Sequence, residues 1–182
     1  MSTVDQLKVL SFNCWGLAVV SKYRELRLRA IAEALQNQDC DLITLQEVWV
    51  AKDLERIKHA VKNKLPYSRY FPSGALGSGL AIFSKFPILS HHYHRYTLNG
   101  HPLMFIHGDY YVGKGVGSIV VKHRIIGLLE VFNTHLHASY SPAHHYTAHR
   151  AAECWQLATI LRNSAAMGRQ IIMASFIFAF FF

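Results

Sequence analysis

The sequence has few cysteines, few acidic side chains and no long apolar run. Its three cysteines, Cys14, Cys40 and Cys154, lie far apart and include no CxxC pair. This pattern excludes a disulfide framework and favours reduced thiols in an intracellular protein. No segment reaches the roughly 20 apolar residues that a membrane-spanning helix needs, and the polar first six residues do not resemble a signal peptide. We therefore expect an intracellular protein without a transmembrane segment.

The charge balance points to an anionic partner. Only 11 Asp and Glu stand against 19 Lys and Arg, which gives a formal net charge of +8. Such an excess favours nucleic acid, a phospholipid surface or a phosphorylated small molecule, and charge alone does not choose among them. At 182 residues with 51% hydrophobic content, the chain is large enough for one domain with its own core.

The order of apolar patterns predicts an α/β domain with substantial antiparallel pairing. Alternation predicts a strand over residues 7–13, and an apolar run predicts a second that begins at Leu42. Helical spacing predicts a helix with Tyr23, Leu26, Ala30, Ile31, Ala34 and Leu35 inward and Arg24 and Arg27 outward. The other predicted elements are a helix over 54–65, strands at 68–71, 80–84, 88–96, 117–121, 128–133 and 170–175, and a helix over about 147–162 with a stripe of Ala148, Ala151, Trp155 and Ala158.

Three polar side chains stand where predicted strands end. Glu47 follows the buried run Leu42–Gln46, Asn13 closes the first strand, and His135 closes a late one. A carboxylate at the end of a buried strand is costly unless it is paired or bound to a cation. Glu47 is therefore either a solvated residue at a strand–loop junction or part of one shared rim that binds a metal or a phosphate.

The histidines give weaker signals. His135 and His137 lie two apart on one side of a strand end, and too few acids are nearby to make them a metal pair. His135 is either a phosphate-contacting or proton-transferring group, or a structural histidine. The other clusters are His145 and His149, which lack an HExxH pattern and suit a polar helix face, and His91, His92 and His94, which suit the exposed side of a strand.

The segment Gly108–Gly115 nearly matches a phosphate-binding Walker A loop. It differs at Gly115, where Ser or Thr should hold Mg²⁺, and a strand rather than a helix is predicted to follow. An NTPase is therefore unsupported. Lys114 either meets a phosphate or lies in a surface loop.

Four segments in order resemble the endonuclease/exonuclease/phosphatase (DNase I-like) superfamily, and more narrowly its neutral sphingomyelinase branch with the fungal inositol phosphosphingolipid phospholipases C. They are Leu10–Gly16, Leu45–Trp49, Ser78–Ile88 and Val131–Ala138. The resemblance covers about residues 7–174. It implies a four-layer α/β sandwich, here incomplete because the C-terminal strands are lacking.

The resemblance also implies a site and a reaction. Glu47 would hold Mg²⁺ with Asn13 beside it, and His135 would contact the phosphate and stabilise its developing charge. Asp109 and Lys114 resemble the branch's Asp–Lys pair, which is tied to activation by anionic lipid. The implied activity is hydrolysis of sphingomyelin or inositol phosphosphingolipid to ceramide and a phosphorylated head group. The implied setting is an anionic phospholipid surface, to which the protein is peripheral, with no stable protein partner and no nucleic acid.

The end of the sequence departs from that pattern. Where the branch has Gly-Asp-x-Asn, this sequence has Ser175, Phe176, Ile177 and Phe178. We therefore expect a single partial domain over residues 1–182 with an aberrant apolar tail at 175–182, and little activity from the isolated chain. The alternatives are a nuclease or inositol-phosphate phosphatase of the same fold, or a non-catalytic fragment that binds anionic membranes.

Overall fold

The computed structural model describes residues 6–18, 21–74, 77–97, 113–136 and 147–175. Over these residues the chain forms eight strands and three helices. The strands are β1 (Val9–Asn13), β2 (Leu42–Gln46), β3 (Tyr67–Phe71), β4 (Leu80–Ser84), β5 (Ile88–Arg95), β6 (Gly115–His123), β7 (Gly127–Thr134) and β8 (Gln170–Ser175). The helices are α1 (Arg24–Asn37), α2 (Ala51–Val61) and α3 (Thr147–Ala166).

The strands form two sheets of four. Sheet A has the order β1-β2-β4-β3, and sheet B has the order β5-β6-β7-β8. β1 and β2 are parallel and joined through α1, and β7 and β8 are parallel and joined through α3. The remaining neighbours are antiparallel. The predicted α/β domain with substantial antiparallel pairing is therefore confirmed.

The sheets pack face to face with helices outside. Apolar side chains from both sheets fill the space between them, and these are Leu42, Phe71, Leu80, Ile82, Ile119, Val121, Leu129 and Val131. Helices α1 and α2 cover the outer face of sheet A, where Ile43, Leu45, Ala81 and Phe83 lie. Leu157 of α3 packs on the outer face of sheet B beside Phe132. The four-layer α/β sandwich is therefore confirmed over the described residues.

Strand β2 explains the position of Glu47. All five of its residues are buried, as expected for a central strand covered on both faces. The strand ends at Gln46 because Glu47 has a φ of 59°, a left-handed conformation that cannot continue an extended ladder. Glu47 therefore lies at the rim of sheet A.

The predicted inward face of α1 is right for Leu35 but wrong for Tyr23, Leu26, Ala30 and Ala34, which are exposed. Its buried side chains are Leu28, Ala32 and Leu35, whereas Tyr23 and Leu26 are 80% and 66% exposed. Arg24, predicted to face outward, forms an ion pair with the buried Asp53 of α2. The sequence contains two sets of apolar residues at helical spacing, and the contact with α2 buries the set that contains Leu28, Ala32 and Leu35.

The predicted stripe on α3 is also wrong. Trp155 is 70% exposed, and the buried residues of the helix are Glu153, Leu157 and Ser164. Part of the packed face is polar because the Ser164 hydroxyl donates to Glu130 of β7. An apolar pattern cannot reveal a helix face that is buried through hydrogen bonds.

Glu130 is a buried carboxylate within a network of hydrogen-bond donors. It is 5% exposed and accepts hydrogen bonds from Ser118 Oγ at 2.7 Å, from Ser164 Oγ and from Arg169 Nη1 at 2.7 Å. Burial alone would raise the pKa of Glu130, but the hydrogen bonds from Ser164, Arg169 and Ser118 outweigh it and lower the pKa. The ionised form of Glu130 is therefore more stable in the folded chain than in the unfolded chain.

We predict that Glu130→Gln destabilises the chain at pH 7 by about 1–3 kcal/mol, because charge-assisted hydrogen bonds are lost. A lowered folded-state pKa gives stability that is present above the unfolded value and lost as pH falls through the folded value. The difference in the free energy of unfolding between the variant and the unsubstituted chain should therefore shrink as pH falls below about 4. Urea unfolding at several pH values measures it, and the exposed Glu55→Gln is the control. An equal loss at neutral and acidic pH would contradict a role for the charge.

Two further features concern the cysteines and the helices. All three cysteines are free, as predicted. Among the described residues, none of the helices is both long enough and apolar enough to cross a membrane.

Candidate active site

Three strand ends meet at one rim of the sandwich. Asn13 is the last residue of β1, Glu47 follows β2, and His135 follows β7 of the facing sheet. Asn13 Nδ2 donates to Glu47 Oε1 at 2.8 Å, and His135 Nε2 lies 3.7 Å from the same oxygen. The side chains of Glu47 and His135 are only 12% and 8% exposed. The structure thus brings the three residues together, and their chemical roles remain predictions.

The turn that follows β1 fixes the carboxylate. We call residues Cys14–Gly16 the post-β1 turn. Asn13 Oδ1 accepts a hydrogen bond from the Trp15 N–H at 2.8 Å, so the Asn13 amide is held on both sides. The Gly16 N–H donates to Glu47 O at 3.0 Å. The main chain of Glu47 is therefore bonded directly to this turn, and its carboxylate is linked to the turn through Asn13.

Gly16 is required by that close approach. A Cβ at this position would lie 2.5 Å from Glu47 O, a main-chain atom that cannot move away alone. We predict that Gly16→Ala displaces the post-β1 turn from Glu47 and weakens divalent-cation binding by about tenfold or more, as changes around metal ligands do. Calorimetric titration with Mn²⁺ measures it.

Gly127→Ala is the matched control for this prediction. Gly127 has a φ of 85°, and a Cβ added to it would meet no atom within 4 Å, so the substitution adds backbone strain far from the rim. Its Mn²⁺ affinity should be unchanged. Equal losses in both variants would show that general destabilisation, rather than the contact with Glu47, explains the effect.

A buried amide pair joins the two sheets directly beneath the rim. Gln46 Nε2 donates to Asn133 Oδ1 at 2.7 Å and to Ser11 Oγ at 3.1 Å. Asn133 Nδ2 donates to the carbonyls of Leu45 at 2.8 Å and Ala81 at 3.0 Å. Because Gln46 precedes Glu47 and Asn133 lies two residues before His135, this bridge sets the spacing between the two sides of the site.

The bridging role of Gln46 and Asn133 was not predicted from the sequence. Both residues lie within the segments that resemble the superfamily, but there they are interpreted only as parts of strands. The available signal was a polar side chain within an otherwise apolar buried run, since such groups require partners. Which partner each amide finds depends on the packing of the two sheets.

Lys114 lies inside the protein rather than in a surface loop. It is 4% exposed, and its Nζ donates to Leu136 O at 2.9 Å, one residue beyond His135. Strand β6 follows directly at Gly115, which confirms that a strand and not a helix succeeds the Walker-like segment. Asp109 lies outside the described residues, so its pairing with Lys114 stays a prediction.

The other histidines singled out in the sequence lie on β5, on α3 or outside the described residues. His91 and His92 are exposed on β5, as predicted, whereas His94 is half-buried with Nε2 3.3 Å from Gln156 Oε1. They line a groove of about 400 Å³ between sheet B and α3. His149 lies on α3, and His137 and His145 lie outside the described residues. No group of three or more His, Cys, Asp or Glu is arranged to hold a metal among the residues that the structure describes.

The donor set at the rim fits Mg²⁺. That ion typically uses one or two carboxylates, keeps several waters and completes its shell with substrate phosphate. Glu47 supplies one carboxylate, with an amide and an imidazole on either side. Cys14 lies in the post-β1 turn, where burial, with a smaller contribution from the Glu47 charge, raises the pKa of its thiol to about 12. A thiol is also a softer ligand than Mg²⁺ prefers.

Comparison with known proteins agrees with this fold. The model of the Endonuclease/Exonuclease/phosphatase family matches residues 10–174. The chain belongs to this family. It is 47% identical over 170 residues to the inositol phosphosphingolipids phospholipase C of Schizosaccharomyces pombe, covering 93% of this chain and 40% of that protein. It is 37% identical over 169 residues to human sphingomyelin phosphodiesterase 2, covering 92% of this chain and 40% of that protein.

Solved structures of other proteins share the fold. Sphingomyelinase C from Streptomyces griseocarneus superposes with a TM-score of 0.75 at 21% identity, covering 93% of this chain and 63% of that one. A beta toxin variant from Staphylococcus aureus with bound magnesium ions gives a TM-score of 0.77 at 18% identity, with the same coverage. The chain spans 40% of the length of these two curated relatives.

Proposed function

We propose that the chain is part of a Mg²⁺-dependent phosphodiesterase of the phospholipase C type. Its substrate would be sphingomyelin or inositol phosphosphingolipid, and the products would be ceramide and a phosphorylated head group. The observation that carries the proposal is that Asn13 Nδ2 and His135 Nε2 both approach Glu47 Oε1 at the rim. The names of the relatives support the substrate class.

Each residue of the rim has a separate task in this proposal. Glu47 would hold Mg²⁺, which when bound polarises a phosphodiester oxygen. Asn13, fixed by the Trp15 N–H, orients the carboxylate through its Nδ2 donor. His135 Nε2, which lies 3.7 Å from Glu47 Oε1, would donate to a phosphate oxygen beside that carboxylate and stabilise its developing charge.

The setting follows from the charge of the chain and the chemistry of the substrate. A net charge of +8 favours an anionic phospholipid surface, where a sphingolipid substrate also resides. We propose an intracellular protein peripheral to membranes, without a stable protein partner or bound nucleic acid. Lys114, whose ammonium contacts the segment carrying His135, would respond to lipid together with Asp109.

We also propose that the isolated chain has little or no activity. Ser175, Phe176, Ile177 and Phe178 replace a Gly-Asp-x-Asn motif whose acid and amide orient the water and phosphate in the resembled branch. The test is hydrolysis of both lipids in mixed micelles with Mg²⁺, using the chain, Glu47→Gln and the exposed control Glu55→Gln. Rapid turnover that Glu47→Gln abolishes would contradict the inactivity and support the site.

The high positive charge keeps a second candidate open, a nuclease or inositol-phosphate phosphatase of the same fold. DNA binding with a steep salt dependence, together with plasmid nicking, would favour the nuclease. Release of phosphate from inositol phosphates would favour the phosphatase. Liposome flotation that needs acidic lipid, without any turnover, would instead indicate a non-catalytic membrane-binding fragment.

A further inference from the structure

Arg27 of α1 makes an unusual set of contacts with the main chain near the rim. Its Nη2 donates to Trp15 O at 2.8 Å, its Nη1 to Cys14 O at 3.1 Å and its Nε to Lys22 O at 3.0 Å. The guanidinium carbon also lies 4.6 Å from the centroid of the Trp15 ring. Arg27 therefore holds both the carbonyls and the aromatic side chain of the post-β1 turn.

The turn needs such support. Trp15 has a φ of 46°, a left-handed conformation that is strained for a bulky residue. The same turn supplies the Trp15 N–H that fixes the Asn13 amide and the Gly16 N–H that binds Glu47 O. If Trp15 relaxed to an ordinary conformation, both N–H groups would turn away from these acceptors.

We propose that Arg27 is a positioning residue for the candidate metal site. Its guanidinium stabilises the strained post-β1 turn, and this turn holds the Asn13 amide against the Glu47 carboxylate. The expected loss of metal affinity rests on the proposed function. The expected loosening of the post-β1 turn does not rest on it.

The geometry requires arginine specifically. A planar guanidinium offers five N–H donors in a fixed arrangement and can stack on an aromatic ring while it donates, so three carbonyls are reached by one group. A lysine ammonium keeps the charge but cannot span these acceptors in one orientation. The neighbouring Arg24 has a different role, since it pairs with Asp53 of α2.

The experiment compares Arg27→Met and Arg27→Lys with Arg29→Met, an exposed arginine on the same helix. Amide hydrogen exchange and the Asn13 side-chain NH₂ signals are followed by NMR, and Mn²⁺ affinity by calorimetry. We expect the Trp15 and Gly16 amides of Arg27→Met to exchange at least tenfold faster, with the strand amides unchanged. The Mn²⁺ dissociation constant should rise about 10–100-fold, as for other groups that orient a metal ligand. Arg27→Lys should fall between, and Arg29→Met should match the unsubstituted chain.

The two readouts separate this inference from the proposed function. Unchanged protection of Trp15 and Gly16 and unchanged Asn13 signals in a folded Arg27→Met would overturn the inference. Equal Mn²⁺ binding by the unsubstituted chain and Glu47→Gln would overturn the metal site, while the exchange data would still decide whether Arg27 holds the turn. If Arg27→Met does not fold, Arg27→Lys decides between these outcomes, because it retains the charge and the aliphatic stem.

Discussion

Asn133→Ala is expected to destabilise the chain by about 3 kcal/mol or more, a large share of the 5–15 kcal/mol typical of a domain. Asn133 is fully buried and makes three hydrogen bonds between the sheets, to Gln46, Leu45 and Ala81. Its removal leaves two main-chain carbonyls and one amide donor without these partners in the interior. Each unsatisfied buried group costs about 1–3 kcal/mol, and the cavity left by the side chain adds to the loss.

Urea unfolding followed by circular dichroism measures this loss. The exposed Asn63→Ala on the other side of sheet A is the control and should change the free energy of unfolding by less than about 0.5 kcal/mol. Asn133→Ala should also weaken Mn²⁺ binding, because the bridge spaces Glu47 and His135. A loss below about 1 kcal/mol would show that the sheets do not depend on this bridge.

Glu47→Gln is expected to weaken divalent-cation binding by about 100-fold or more. A neutral amide oxygen is a weaker ligand for a hard cation than a carboxylate, and the Glu47 carboxylate is the group that lies against Asn13 and His135. The substitution preserves shape and an acceptor for Asn13 Nδ2, so the free energy of unfolding should change by less than about 1 kcal/mol.

Calorimetry with Mg²⁺ and Mn²⁺ measures the affinities. Glu55→Gln removes an exposed carboxylate of α2 and should leave both affinities unchanged. Retained affinity in Glu47→Gln would place the cation elsewhere. A large loss of stability would instead mean that Glu47 is chiefly a structural residue at a strand–loop junction.

Strand ends were the most informative part of the sequence. The alternation before Asn13 and the buried run before Glu47 predict two strands, and a helix between them predicts parallel pairing, which places both carboxyl ends at one rim. His135 follows a strand of the other sheet, and only the ordered motifs indicated that it meets Glu47. The strand that begins at Gln170 was likewise predicted and forms β8 beside β7.

Side-chain partnerships could not be predicted in the same way. Arg27 was placed on the outer face of α1 because it is charged, yet it contacts the main chain of a turn 12 residues away in sequence. Asn133 resembled any other strand residue, and its partners belong to two strands of the other sheet. Such contacts depend on the packing of distant segments, whereas periodicity reports only the local element.

The most direct test is to map bound Mn²⁺ by the paramagnetic broadening it causes in the NMR spectrum of the chain. We predict that the earliest and strongest broadening affects the Asn13 side-chain amide and the His135 ring, and that Glu47→Gln removes it. Broadening centred on His91 and His92 in the groove beside α3, with the Asn13 and His135 signals unaffected, would contradict a metal site at the rim.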